Sequence, residues 1–290
     1  MTVPNLVDAL AQGLRDWQAD STWDESVLHV TDLAVSIPPP DGKCPRQLWL
    51  RLQGARKVPP TPGQQLMFLQ GFHLQDQAIR LITPYLGYHE FRPASGWETV
   101  MVEHPVSLPH GITGSADWLL RHKESEAKVV VDLKTLRGNA FRYQDLPKPA
   151  HTLQVQSYGM GLDADHGLLL YIDREGQNAA QQFTVERDDE AVMRGIEVAC
   201  AIAKAEEPPP IMGPTLSIRK NKGPNAVYLK QPWQCSYCEY CDMSCPGALP
   251  NDYRDLGIVG YLVDGEFMPK DGCEHVTEIV EPLLREGVTP

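Results

Sequence analysis

Four of the seven cysteines in this 290-residue chain lie within eleven residues, in the stretch QCSYCEYCDMSCPG at positions 234–247. Thiol groups at this density usually bind metal, or form disulfides in secreted proteins. The N-terminus lacks the basic and then apolar pattern of a secretion signal, so we expect metal ligation. Such a centre would fix the conformation of the chain around these residues.

Two kinds of metal centre are compatible with the cysteine spacing. Cys235, Cys238, Cys241 and Cys245 could together surround one zinc ion. Alternatively, three of them could join a fourth cysteine from elsewhere in the chain around an iron–sulfur cluster. Cys44, in the segment CPRQLWL, lies far before this stretch in the sequence. The spacing alone leaves both alternatives open.

The composition limits the possible partners. Hydrophobic residues make up 42% and charged residues 22% of the chain, as in ordinary globular proteins. No apolar run approaches the roughly 18 residues of a membrane span, so we expect no membrane partner and a cytoplasmic location. The net charge of -12 argues against a broad basic surface that covers nucleic acid, but it allows a narrow basic groove.

Hydrophobic periodicity predicts an α/β protein. Leu6, Leu10 and Leu14 lie at helical spacing near the N-terminus, and residues 63–84 are predicted to form a long helix. Strands are expected between about 88 and 134, and a strand pair over 167–187, with helices between and after them. This order indicates an α/β core with an N-terminal helical portion and a C-terminal metal-binding lobe.

The segment KVVVDLKT is the predicted strand that bears polar, chemically active side chains. Asp132 and Lys134 are two residues apart and therefore project from the same face, whereas Val129, Val131 and Leu133 project from the other. A carboxylate beside an ammonium suits metal-assisted hydrolysis of a phosphodiester. A solvated salt bridge is the alternative explanation of this pair, and only neighbouring residues can decide between them.

Further polar residues strengthen the hydrolytic interpretation. Asp117 lies on a predicted neighbouring strand, and two adjacent acids are the minimum site for a hard cation. His73 lies within the long predicted helix. Gln154 and Tyr158 are four residues apart and so share a helix face.

The order of these short motifs resembles that of the RecB-like branch of the PD-(D/E)XK nuclease superfamily, over roughly residues 28–250. The matching segments are Gly71 to His73, Gly114 to Asp117, Asp132 to Lys134, and Gln154 to Tyr158. The resemblance implies a nuclease core with a central mixed sheet flanked by helices. Asp132 occupies a position where many relatives have glutamate.

The resemblance also implies roles for individual residues. His73, Asp117 and Asp132 would bind Mg²⁺ or Mn²⁺, with the backbone carbonyl of Leu133 as a further ligand. Lys134 would be catalytic together with the two acids. Gln154 and Tyr158 would complete the catalytic site at its edge.

The cysteines resemble those of the iron–sulfur members of this branch, which include CRISPR-associated RecB-like exonucleases, their phage homologues and the AddB nuclease domain. That resemblance implies a [4Fe–4S] cluster on Cys44, Cys235, Cys238 and Cys245. Six residues separate Cys238 from Cys245, where the usual pattern has five, so Cys241 is an alternative ligand. The predicted C-terminal part is therefore an iron–sulfur lobe.

Basic residues gather in the stretch RKNKGPNAVYLK just before the cysteines, which we predict to be a flexible, glycine-containing loop. The candidate DNA-binding residues are Arg219, Lys220, Lys222 and Tyr228. The tyrosine ring could stack on a base, as in other single-strand binders. No sequence-reading motif is evident, so sequence-independent binding is expected.

The resulting prediction divides the chain into four parts: an N-terminal helix or extension at 1–30, a RecB-like nuclease core at 31–205, a basic loop and cysteine cluster packing with Cys44 at 206–250, and a C-terminal extension at 251–290.

The predicted function is that of a metal-dependent DNA exonuclease on single-stranded ends. Its polarity, from 5′ to 3′, is implied by the resemblance alone, as is a bacterial, phage-infected or archaeal cell. The alternatives are an endonuclease or flap nuclease, and a non-catalytic adaptor that binds DNA ends in a recombination or integration complex. The chain has no Walker A motif, so a helicase would have to be a partner.

Overall fold

The segment with Asp132 and Lys134 forms the central strand of a five-stranded mixed sheet in the computed structural model of the protein. The strands are β1 (Trp97–Leu108), β2 (Ile112–His122), β3 (Lys128–Leu136), β4 (His166–Asp173) and β5 (Ala180–Glu186). They follow one another in chain order across the sheet. All neighbouring strands are antiparallel except β3 and β4, which are parallel.

The structure describes residues 24–39, 41–86, 96–138, 141, 145–176, 180–220, 224–236, 238–247, 256–263 and 265–285. The predicted helix at Leu6, Leu10 and Leu14 lies outside them. The chain divides into two compact units, one comprising Met1–Gly54 with Pro59–Glu206 and the other Ala55–Val58 with Glu207–Pro290. No helix among the described residues is long and apolar enough to cross a membrane.

Helices cover both faces of the mixed sheet in the first unit. The α-helices are α1 (Pro45–Leu52), α2 (Pro62–Leu86), α3 (Pro149–Leu162) and α4 (Asp189–Lys204), and a 3-10 helix spans Val30–Ser36. The parallel strands β3 and β4 need a crossover, which α3 provides. The N-terminus of α4 is capped by Asp188, whose carboxylate accepts a hydrogen bond from the Ala191 N–H.

Two apolar clusters fix the layer order of this unit. On one face of the sheet, Trp118, Val131 and Leu133 pack against Ile79 of α2. On the other face, strand residues such as Val130 pack against residues of α3 and α4. The predicted fold class, a central mixed sheet flanked by helices, is thereby confirmed, as is the long helix predicted over 63–84.

The second unit contains an antiparallel four-stranded sheet that the sequence analysis did not anticipate. Its strands are β6 (Thr215–Arg219), β7 (Asn225–Lys230), β8 (Ile258–Val263) and β9 (Glu266–Pro269), and its helices are α5 (Trp233–Ser236) and α6 (Thr277–Arg285). A 3-10 turn, Glu274–Val276, precedes α6.

The prediction of a flexible basic loop before the cysteines is wrong for most of that stretch. Arg219 ends β6, and Tyr228 lies within β7, which pairs with β6 in antiparallel register. The strands form because Leu216, Val227 and Leu229 become buried in the core of the unit. The segment between the strands, residues 220–224, is charged and contains a glycine. The alternation of buried and exposed residues in the flanking strands was therefore not evident from the sequence. Lys222 lies outside the described residues.

Candidate active site

The two acids predicted to bind metal lie where the pairing of β2 with β3 ends. The last paired residues are Trp118 and Val131, and each acid is adjacent to one of them. Beyond this pair, Asp117 takes the place of a strand partner, because its Oδ2 accepts a hydrogen bond from the Leu133 N–H at 2.6 Å. The end of the ladder therefore brings both acids to one point in the sheet.

Asp132 is a buried carboxylate whose negative charge is stabilised by few contacts. Its residue exposure is 0%, and neither carboxylate oxygen has a partner of acceptable hydrogen-bond geometry among the described residues. The Lys134 Nζ lies 2.8 Å from Oδ2, so the two groups form a close ion pair that nevertheless leaves the carboxylate short of hydrogen bonds. Burial raises the pKa of Asp132, and the charge of Lys134 opposes that rise. A buried carboxylate of this kind favours an additional cation.

Asp117 is electrostatically linked to Asp132. Burial, followed by the negative charge of Asp132, raises the pKa of Asp117 to about 7. The Lys134 ammonium and the Leu133 N–H act in the opposite direction. The metal-free site therefore holds two carboxyl groups that resist simultaneous ionisation, which is a property of many cation sites and catalytic acid pairs.

Gln75, rather than His73, is the residue of α2 that faces the acids. Its Nε2 donates a hydrogen bond to the Leu133 carbonyl at 2.8 Å and lies 3.4 Å from the Asp117 Oδ2. His73 is exposed. Among the described residues, no three His, Cys, Asp or Glu side chains lie close enough together to hold a metal ion, so the structure does not group His73 with the two aspartates.

The rotational position of α2 explains why Gln75 faces the sheet, and metal binding by His73 stays a prediction. Ile79 and its neighbours Ala78 and Ile82 pack against the sheet, which fixes the inward face of the helix. Gln75 precedes Ile79 by one turn and shares that face. His73, two residues earlier, is rotated by roughly 200° from Gln75 on a 3.6-residue helix.

The helix α3 places a polar pair over the acids. The Gln154 Nε2 donates to the Tyr158 hydroxyl at 2.8 Å. Burial raises the pKa of Tyr158, and the charge of Asp132 raises it further. Gly114 provides room for this ring, since a Cβ there would lie 3.1 Å from Tyr158 Cε1 and 2.8 Å from Val30 Cγ2. Three of the four nuclease-like motifs thus meet at one place.

The cysteine-rich segment of the second unit folds as successive tight turns. The Cys238 N–H donates to the Cys235 carbonyl at 3.3 Å, and the Cys241 N–H donates to the Cys238 carbonyl at 3.2 Å. Cys241 and Cys245 then form an isolated β-bridge. No disulfide joins any of the cysteines, all of which are described. Cys44 belongs to the first unit, where it precedes α1.

The side chains of this segment do not form a preassembled centre, because no three potential ligands within the described ranges lie close enough to hold a metal. The predicted cluster ligands therefore stay predictions, including Cys245 and its alternative Cys241. In the same unit, residues 56–58 contact the segment: the Val58 N–H donates to the Glu239 carbonyl at 2.6 Å, and the Lys57 Nζ lies 3.6 Å from a Glu239 carboxylate oxygen.

Two basic side chains lie near the ring of Tyr228, a residue predicted to bind DNA. The guanidinium carbon of Arg219 lies 5.0 Å, and the Lys230 Nζ 6.0 Å, from the centroid of the Tyr228 ring. These are cation–π distances. Arg219 and Lys220 are exposed at the end of β6. Their role in DNA binding stays a prediction.

Two polar residues around the candidate site, one near Asp117 and one near Tyr171, were not predicted from the sequence. Gln75 follows Gly71 by four residues, a spacing that would have placed both on one face of the long helix. His151 precedes Gln154 by three residues and Tyr158 by seven, so it extends the same face of α3 by one turn. Its Nδ1 lies 2.9 Å from the Tyr171 hydroxyl.

Comparison with known proteins shows likeness of fold. No protein-family model matches the chain, and no curated protein sequence is significantly similar to it. The crystal structure of SSO0001 is similar with a TM-score of 0.50 at 18% identity, covering 84% of this chain and 97% of that one. At this identity, the similarity shows a shared fold.

Two looser similarities involve proteins described as exonucleases. LHK-Exo, an alkaline exonuclease from Laribacter hongkongensis, is 14% identical with a TM-score of 0.43, over 65% of this chain and 90% of that one. A phage-related exonuclease from Haemophilus somnus 129PT is 17% identical with a TM-score of 0.43, over 61% and 92%.

Proposed function

We propose that the first unit is a metal-dependent nuclease that hydrolyses phosphodiester bonds of DNA. The observation that carries this proposal is the buried Asp132 carboxylate: its Oδ2 has the Lys134 ammonium at 2.8 Å, its Oδ1 has no hydrogen-bond partner among the described residues, and a second acid, Asp117, adjoins it. A structural salt bridge would not need a second acid with a raised pKa at the end of a strand pair. A cation site, in contrast, needs two neighbouring carboxylates such as Asp132 and Asp117.

The residues at this point suit a hard divalent cation. Asp132 and Asp117 would hold it, and the Leu133 carbonyl, which now accepts from Gln75, is a third oxygen next to them. An all-oxygen ligand set favours Mg²⁺ or Mn²⁺ over zinc. When bound, such an ion polarises a phosphoryl oxygen and lowers the pKa of a coordinated water molecule.

The remaining residues supply charge and position. The Lys134 ammonium, with a side-chain exposure of 20%, is accessible enough to meet a phosphate while it adjoins the buried acid. Its positive charge stabilises the negative charge that develops on the phosphate, and it orients the attacking water. Gln154, which donates a hydrogen bond to the buried Tyr158, would border the substrate strand at the edge of the site.

We further propose that the enzyme is an exonuclease that degrades single-stranded ends from 5′ to 3′ without sequence preference. The order of motifs supports this choice. The chain has no Walker A motif, so a helicase that supplies single strands would be a partner protein. Proteins of a recombination or integration complex are further proposed partners.

With Mn²⁺ or Mg²⁺, we expect the purified protein to digest linear single-stranded DNA and to leave a circular single strand of the same sequence intact. A 5′-labelled and a 3′-labelled linear substrate, followed over time on a denaturing gel, would reveal the polarity. Chelation by EDTA should stop the reaction. Cleavage of the circle would instead identify an endonuclease, and intact linear DNA under all metal conditions would contradict the nuclease proposal.

We also propose that Cys44, Cys235, Cys238 and Cys245 bind a [4Fe–4S] cluster, with Cys241 as the alternative ligand. The supporting observation is the donor chemistry: successive turns present thiols at regular intervals in the segment 235–245, and none of them is used in a disulfide. Such a cluster would have a structural role.

Replacement of Cys235 by alanine should abolish iron binding and destabilise the protein. The expected result is loss of the brown colour, loss of iron and acid-labile sulfide, and a lower Tm after purification without air. Cys200, on α4 and outside the cysteine-rich segment, provides the matched control, and Cys200→Ala should retain iron. Normal iron content in Cys235→Ala would overturn the assignment of Cys235 as a ligand. Zinc instead of iron in the wild type would contradict the cluster proposal and indicate a zinc site.

A further inference from the structure

His151 is a partly buried imidazole that the hydrolytic mechanism does not yet use. It lies in the first turn of α3, on the face that also presents Gln154 and Tyr158. Its partner Tyr171 lies on β4, where it is paired in register with Lys134 of β3. The imidazole therefore lies beside the strand that neighbours β3, on which Asp132 and Lys134 are located.

The hydrogen bonds around Tyr171 determine which nitrogen of His151 bears the proton. The Lys148 N–H donates to the Tyr171 hydroxyl oxygen at 3.1 Å, and the His151 Nδ1 lies 2.9 Å from that oxygen. Tyr171 is fully buried, and within the described residues its hydroxyl has no further hydrogen-bond partner. Because the Lys148 N–H can only donate, the arrangement that satisfies the hydroxyl proton is donation to Nδ1, with the His151 proton on Nε2.

The surroundings also keep this imidazole neutral. Burial, followed by the charges of Lys134 and Lys148, lowers the pKa of His151 to about 3. A neutral imidazole held at Nδ1 presents its Nε2–H as a fixed hydrogen-bond donor. Because the ring is neutral, it adds no further positive charge to those of Lys134 and Lys148. The ammonium groups of Lys134 and Lys148 both act electrostatically on the imidazole, and positive charge beside an oriented N–H suits an oxyanion.

We propose that His151 and Lys148 form a subsite for a second phosphate of the substrate strand, next to the phosphate attacked at Asp132 and Lys134. This inference rests on the proposed nuclease function. His151 and Tyr158 are seven residues apart on α3, or about 10 Å along a helix. That distance exceeds the size of one phosphate group, so a phosphate at His151 would differ from the phosphate attacked at Asp132, which lies by the Tyr158 end of the face.

The subsite can be tested by binding, without hydrolysis. In Asp132→Asn protein, His151→Phe keeps an aromatic ring and removes the donor, whereas His151→Gln keeps an N–H at a similar distance. We expect His151→Phe to weaken binding of a fluorescent single-stranded oligonucleotide by about 10-fold or more, as for a lost hydrogen bond to a charged group, and His151→Gln to restore most of it. Circular dichroism would verify that each variant is folded.

Single methylphosphonate linkages, which remove the charge of one phosphate, identify the phosphate that is bound. At one position near the scissile bond, the substitution should weaken binding with His151 present and have little further effect in His151→Phe. Oligonucleotides with a 5′-phosphate or a 5′-hydroxyl distinguish a terminal from an internal phosphate. Independent, additive losses at every position would overturn the subsite, whereas failure of wild-type protein to cleave DNA would overturn only the proposed nuclease function.

Discussion

Replacement of Asp132 by asparagine is expected to reduce kcat/KM for DNA hydrolysis by on the order of 10³-fold. The amide keeps the size of the side chain in a site with 0% exposure, but it removes the negative charge that would hold the cation. Initial rates on a linear single strand, measured over a range of Mn²⁺ concentrations, would quantify the loss. Asp76→Asn, which alters an exposed acid paired with Arg80 on α2, is the control and should retain full activity.

Lys134→Met provides the complementary variant at the same site. Methionine preserves most of the side-chain volume and removes the ammonium that lies 2.8 Å from Asp132. We expect kcat to fall by about 10²-fold or more while binding of Mn²⁺, measured calorimetrically, is retained or strengthened, because a competing positive charge is gone. Asp132→Asn should lose both hydrolysis and the binding of Mn²⁺. Unchanged hydrolysis by either variant would contradict the assignment of the active site.

Asp117→Asn is expected to stabilise the metal-free protein at high pH while it inactivates the enzyme. The pKa of Asp117 rises from 3.8 to about 7 on folding, so the folded protein binds more protons than the unfolded chain between these values. The stabilising effect of the protonated acid is complete below pH 4 and disappears as the pH rises through 7. In the variant, the amide oxygen of the new side chain can still accept the Leu133 N–H.

Thermal unfolding in EDTA measures this effect. At pH 8, the variant should be more stable than the wild type by on the order of 2 kcal/mol, and the two should converge near pH 4. Saturating Mn²⁺ should reverse the order at pH 8, because a ligand that binds only the folded protein stabilises it and the wild type binds that ion better. A pH-independent difference in EDTA would show that the acid is not perturbed as described.

The parts of the fold with simple periodicity could be predicted from the sequence. Alternation in KVVVDLKT correctly assigned Val131 and Leu133 to one face, and the structure buries both against α2. The contact between Asp132 and Lys134 follows from the same two-residue period. Local spacing was sufficient there, because adjacent positions on one strand determine the arrangement without help from the rest of the chain.

Contacts set by packing between elements could not be predicted in this way. The choice between His73 and Gln75 depends on how α2 rotates when Ile79 becomes buried, and both residues are polar positions on one helix. The hairpin that includes Arg219 and Tyr228 depends on pairing with β8, which is distant in the sequence. Its charged connection suggested a loop, although the buried residues on either side form strands.

The second unit is built from two separated parts of the chain, and this has a consequence for the order of synthesis. Residues 55–58 leave the ribosome long before Glu239, whose carbonyl accepts the Val58 N–H. The short segment between α1 and α2 therefore acquires its partners only when most of the chain has been made. A protein truncated after α4 would retain the mixed sheet but deprive this segment of those partners, so the unit cannot be excised by one cut.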